Sequence, residues 1–134
     1  MKEIKVRGYS DGHDKWIYGW GLSNVKLSSP LIKELKCNYI SYIYNDEGEF
    51  PIDIYSVGEF TGIKDHKSNK EIYEGDIVTV DFVLAGQHTN QFFGEVEMLE
   101  GQWVVNNGRD AIPLWSETNE VKIVGNKYEL AIRN

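Results

Sequence analysis

At 134 residues, with 41% hydrophobic and 26% charged side chains and with eight Tyr, five Phe and four Trp spread along it, the chain has the make-up of one folded domain and not of a disordered segment. Its net charge of −7, from 21 acidic against 14 basic residues, repels a phosphate backbone and disfavours non-specific nucleic-acid binding. Cys37 is the sole cysteine, which excludes an internal disulfide and a paired-cysteine zinc site and fits a reducing cytoplasm.

Residues Met1 to Arg7 alternate charged and aliphatic side chains, so they read as the start of a strand and lack the apolar run of a secretion signal. No run of about 18 apolar residues follows anywhere, and a soluble, cytoplasmic protein without a membrane span is expected. Ser10-Asp11-Gly12 supplies a turn before Trp16-Ile17-Tyr18-Gly19-Trp20, giving a first hairpin. Ser28-Ser29-Pro30 followed by Leu31 to Lys36 places a serine cap, a first-turn proline and a late lysine where a short helix wants them. Tyr39 to Tyr44 and Phe50 to Tyr55 then flank the turn-rich Asn45-Asp46-Glu47-Gly48, a second hairpin. Pro51 lacks an amide donor, so its strand starts there or lies at an edge.

From residue 59 onward the pattern predicts five short strands: Ile77 to Leu84, Phe92 to Leu99, Gln102 to Val105, Ala111 to Trp115 and Glu120 to Val124. Turn signals separate them, among them the polar loop Gly86 to Gln91, and strands at this spacing suggest a small closed or half-closed barrel. The predicted fold is mostly β: N-terminal hairpins and one short helix, over 1–58, packed on a small barrel of about five strands, over 59–134. No linker separates the halves, so one domain spanning 1–134, with a shared core, is expected.

Phe60-Thr61-Gly62-Ile63-Lys64-Asp65, followed by Lys70-Glu71-Ile72-Tyr73-Glu74-Gly75-Asp76-Ile77-Val78, resembles the central signature of the YopX family of phage and prophage proteins. Glu3 to Arg7 with Trp16-Ile17-Tyr18, and Val124-Gly125-Asn126 with Tyr128-Glu129, extend the likeness over nearly the whole chain. In one respect the chain departs from the family pattern, which commonly runs from the aspartate to the next lysine through a short Asn-Gly turn; here His66-Lys67-Ser68-Asn69 is longer and has no glycine. The resemblance implies a phage-encoded, β-rich protein that assembles into homo-oligomers, and it carries no catalytic residue over to this chain.

Read as chemistry, the signature favours structure. Gly62 and Gly75 stand where tight turns need positive φ, and Asp76, just after Gly75, is placed to accept amides that a turn leaves unpaired. The competing reading takes Tyr73, Glu74 and Asp76 as a ligand or partner site, because carboxylates two apart on a strand point the same way. Gln87 and His88, in the polar loop, are a second candidate contact at the barrel mouth. His13, His66 and His88 are too scattered for a zinc set, no nucleophile elbow or phosphate cradle is present, and no cofactor is expected. Lys64, His66, Lys67 and Lys70 form the densest basic stretch, diluted by Asp65 and Glu71.

Trp103 and Trp115, inside apolar strands, are assigned to the core; Trp16, Tyr18 and Trp20 are the interface candidates. Three functions compete. The first is an accessory protein that self-assembles and binds a host or phage protein. The second is a nucleic-acid-binding small barrel, opposed by the acidic balance. A small enzyme using Asp76, Glu74 or His88 ranks last, having no recognisable spacing of groups behind it.

Overall fold

The computed structural model describes residues 5–26, 39–84 and 87–133. The helix expected over Ser28 to Lys36, Cys37 and the first residues of the N-terminal strand lie outside the described residues. The chain is mostly β and divides into two compact units, 1–59 and 60–134.

In the first unit, β1 (Val6–Ser10) and β2 (Lys15–Gly19) form the expected hairpin, with Tyr9 opposite Trp16 and Arg7 opposite Tyr18. Beyond the hairpin, β1 pairs through Val6 and Arg7 with Glu59 and Gly58, the opening residues of β6 (Gly58–Lys64). A three-stranded antiparallel sheet runs β3-β4-β5, from Gly21–Lys26, Tyr39–Asn45 and Gly48–Ile52. Its β4-β5 turn is closed by the Asn45 side chain, whose Oδ1 accepts the Glu47 N–H at 2.9 Å. Pro51 lies in an edge strand, where its missing donor breaks no central ladder. The strand expected to reach Tyr55 stops at Ile52, because Asp53 caps a 3-10 turn over Ile54–Ser56 by accepting the Tyr55 N–H. Ile17, Ile43 and Ile52 form this unit's buried cluster, with Val6, Phe50 and Val57 packed on it.

In the second unit, the remainder of β6 pairs with β7 (Glu71–Tyr73), with a register shift between Phe60 and Lys64. Five strands follow in one antiparallel ladder ordered β11-β10-β9-β8-β12: Ala111–Pro113, Gln102–Asn106, Gln87–Leu99, Asp76–Leu84 and Asn119–Asn126. Period-two alternation turns Val78, Val80, Val96, Val105 and Val121 to one face, where Ile72 and Leu114 join them in a buried cluster. Burial of each such side chain contributes roughly 1.5–3 kcal/mol, which makes this face the main source of the unit's stability. The sheet has a half-barrel curl. Gly94 marks a close backbone approach: a Cβ there would sit 2.5 Å from the Asn106 carbonyl oxygen, so only glycine lets β9 pass that close to the end of β10.

The polar stretch expected as a loop over Gly86 to Gln91 is largely strand. β9 already pairs at Gln87, opposite Leu84, and at His88, opposite Val83. Backbone pairing of a long hairpin has overridden the weak β-propensity of Gln and Asn. The chain then ends in a short helix, α1 (Lys127–Arg133), where the Glu129 N–H donates to Asn126 Oδ1 at 2.8 Å. No described helix is long and apolar enough to cross a membrane.

Candidate functional site

The signature segment folds into strand edges and bends. Gly62 has φ +86° but lies inside β6, in the stretch where the register with β7 shifts; it is a bulge and not the turn expected from the sequence. Thr61 steadies it, with the Ile63 N–H donating to Oγ1 at 3.1 Å and the hydroxyl donating to the Ile72 carbonyl at 2.8 Å. Gly75, at φ +92°, makes the β7-β8 turn. Its N–H donates to the Val96 carbonyl and its carbonyl accepts from the Lys127 N–H, each at 2.9 Å, so this one residue joins the turn to β9 and to the start of α1.

Asp76 is buried, and its Oδ2 accepts the Tyr73 N–H at 2.8 Å, closing that turn from inside. Glu74 belongs to the turn, so it does not share a strand face with Asp76 as the spacing suggested. Tyr73 is buried as well, its ring tilted against Phe60 and its hydroxyl donating to Glu71 Oε1 at 3.1 Å. Tyr73, Glu74 and Asp76 are neighbours in sequence, but Tyr73 and Asp76 are buried and bonded within the fold. Gln87 and His88 sit at the start of β9, and their side chains are outside what the structure describes.

Asp65, quoted in the sequence only as part of the signature, is engaged through both carboxylate oxygens. Its Oδ1 accepts the N–H groups of Lys67 and Ser68, at 2.7 and 2.9 Å, and its Oδ2 accepts the Ile123 N–H at 2.7 Å. Burial pushes its carboxyl up, but backbone donors from Ser68, Ile123 and Lys67, with the Ser68 hydroxyl, outweigh that and hold it below its ordinary value. His66 adds two bonds to the same strand: its N–H donates to the Val121 carbonyl and its Nδ1 accepts the Val121 N–H, each at 3.0 Å. Residues 65 and 66 thus occupy the outer edge of β12. The loop departing from the family's short turn is the piece that makes this cap. The Asx-type pattern of Asp65 followed by Ser68 was the sequence signal for it.

Beside the cap lies a shallow depression of about 250 Å³ lined by Asp65, Lys67, Ser68, Lys70, Lys122 and Ile123. Lys122, from β12, joins two lysines of the basic stretch read in the sequence. His13 is occupied elsewhere, with Nδ1 3.0 Å from Ser10 Oγ and its ring edge-on to Phe50. Among the described residues, no group of three or more His, Cys, Asp and Glu side chains is arranged to hold a metal ion.

Of the interface candidates, Trp16 and Tyr18 share the outward face of β2, opposite Ile17 and Gly19, while Trp20 follows the strand in the bend before β3. Trp16 is half-buried, with the Arg7 guanidinium 4.7 Å above its ring and Tyr9 edge-on at 5.5 Å. Tyr18 and Trp20 remain 47% and 56% exposed. Trp103 packs on the second cluster as expected, but Trp115 is 59% exposed. β11 stops at Pro113 and Leu114 takes the buried place, its N–H donating to the Trp103 carbonyl, which turns the next residue outward.

In comparison with known proteins, the family model described as YopX protein matches residues 5–131. No curated protein matches the chain. No solved structure matches it either.

Proposed function

The chain belongs to the YopX family, and we propose that it acts as a phage- or prophage-encoded accessory protein in the host cytoplasm, by self-assembly and protein binding and not by catalysis. One observation carries this reading: Tyr18, on the outward side of a strand paired with β1, and Trp20, in the bend that follows with its N–H donating to the Tyr44 carbonyl, both stand about half exposed. Large aromatic side chains on a fixed backbone lose little entropy on contact and anchor protein interfaces out of proportion to their area. Asp76 is occupied in closing a turn and Asp65 in covering a strand edge, which supports contact over chemistry. A variant carrying Tyr18→Ser and Trp20→Ser tests the reading by sedimentation and by recovery of partners from induced host cells. It should fold and melt like the parent while losing assembly and partner; unchanged assembly and unchanged recovery would contradict the reading.

A second reading, nucleic-acid binding, draws support from the depression where Lys67, Lys70 and Lys122 meet. Adding a single-stranded oligonucleotide at two salt concentrations separates the two readings. Binding that weakens steeply with salt favours the lysines.

A further inference from the structure

In the second unit, a basic depression and an exposed aromatic ring meet on one face of the sheet. The depression beside β12 gathers Lys67 and Lys70 from the capping loop and Lys122 from the strand. Asp65, the acid of that lining, already has both carboxylate oxygens bonded to backbone N–H groups, so the ammonium groups are what the depression offers to a ligand. Pairing sets Lys122 opposite Thr79 on β8, and Thr79 opposite Phe93 on β9. Partners across an antiparallel ladder share a face, and the adjacent row of Val121, Val80 and Phe92 packs into the core. Lys122, Thr79 and Phe93 therefore form a row on the opposite face.

Phe93 is 59% exposed, although β9 is the central strand of the five. Its Cα lies two strand spacings from that of Lys122, roughly 10 Å. The neighbouring row on the same face is Glu120, Asp81 and Gln91, whose acids repel an anion running along the strands in that direction. In the other direction Glu95 is already paired with Lys127 at 3.1 Å. An anionic ligand is thus admitted across the strands, from Phe93 toward the lysines.

We infer that this row is a short nucleotide site, with a base stacked on Phe93 and the phosphate joined to it held by Lys122 and by Lys67 and Lys70 of the depression. The inference goes beyond self-assembly and rests on the nucleic-acid reading of the depression, to which it adds the stacking ring. Every base has a face that stacks on an aromatic side chain, and lysines meet phosphate as point charges, so the site takes nucleotides without regard to sequence. The net charge of −7 repels a long strand, which limits the site to a few nucleotides.

The test uses the full chain with a thymidine tetranucleotide, thymidine 5′-monophosphate and inorganic phosphate, each titrated at two salt concentrations and followed by NMR. The nucleotides should move the ring signals of Phe93 together with the amide signals of Lys67, Lys70 and Lys122. Phe93→Ala should weaken nucleotide binding about tenfold, and Phe93→Tyr should retain it. Lys122→Gln should weaken binding and flatten its dependence on salt, with the melting temperature unchanged in all three variants. Equal affinity for the monophosphate and the tetranucleotide would name a free nucleotide as the ligand, preference for the tetranucleotide would name a single strand, and either supports the site. Salt-sensitive binding that ignores Phe93→Ala, or inorganic phosphate bound as tightly as the nucleotides, would overturn the stacking row and leave the lysines as an anion site. No binding of any probe at low salt would overturn both. If Phe93→Ala fails to fold, the Phe93 ring signals of the parent chain decide, since they must move with the nucleotides and stay still with inorganic phosphate.

Discussion

Both carboxylate oxygens of Asp65 are committed to backbone N–H groups, two from its own loop and one from β12. A carboxyl held below its unfolded value contributes stability that is complete above the unfolded pKa and is lost as pH falls through the folded one. The parent chain should therefore lose stability as pH drops below about 4. In Asp65→Asn the amide can present an NH2 to the Ile123 N–H, or leave the loop donors short, so one buried donor goes unmatched at a cost of about 1–3 kcal/mol. Urea unfolding at neutral pH should register that loss, and the variant's stability should depend less on pH in the acid range. Equal stability of the two chains at neutral pH would show that the three bonds are incidental. The sequence made the role of Asp76 readable, because an aspartate directly after a turn glycine has few other uses. It did not make Asp65 readable, since its third donor, Ile123, lies 58 residues away and only the folded ladder brings it near.

At the scale of elements, the close approach of β9 to the end of β10 turns on Gly94. Gly94→Ala would drive a Cβ to 2.5 Å from the Asn106 carbonyl oxygen, which β10 can relieve only by shifting its backbone. A cost of about 1–3 kcal/mol is expected, seen as a lower midpoint in thermal or urea unfolding. Gly125→Ala is the matched control, since nothing lies within 4 Å of its added Cβ, and it should change stability by about 0.5 kcal/mol or less. Similar losses in the two variants would argue against the close approach.

Elements with strong alternation were legible in advance: β8, β10 and β12 fall within one or two residues of their predicted spans, and β2 and β4 within one, whereas β1 runs on to Ser10, the residue that the sequence pattern places at the start of the turn. Elements built by context were not. β3, with the pattern Gly-Leu-Ser-Asn-Val-Lys, has no clean period of two and is a strand because β4 lies beside it. β6 is broken by the Gly62 bulge, and β7 is too short to show any period. The C-terminal helix did leave a signal, Asn126 followed three residues on by Glu129, an N-cap arrangement that the short apolar pattern obscured.

For the whole molecule, net charge sets the sign of the response to salt. Two copies at −7 repel each other, so screening should strengthen self-association, whereas release of counterions from a nucleic acid would make binding weaken. Sedimentation of the protein alone at low and high salt should show more assembly at high salt; dissociation on adding salt would mean that ion pairs, and not the exposed aromatic side chains, hold the copies together. The wider account is that polar side chains of the family signature close turns and cover strand edges, leaving contact surfaces to do the protein's work. Residue-resolved amide exchange at Val121 and Ile123, in the parent chain and in Asp65→Ala with His66→Ala, reaches that claim directly. The two amides should be protected in the parent and should exchange far faster in the variant while Val78 and Val80 on the neighbouring strand keep their protection. Equal rates at Val121 and Ile123 in both chains would mean that the loop does not cap β12, and the assignment of the signature to structure would fall with it.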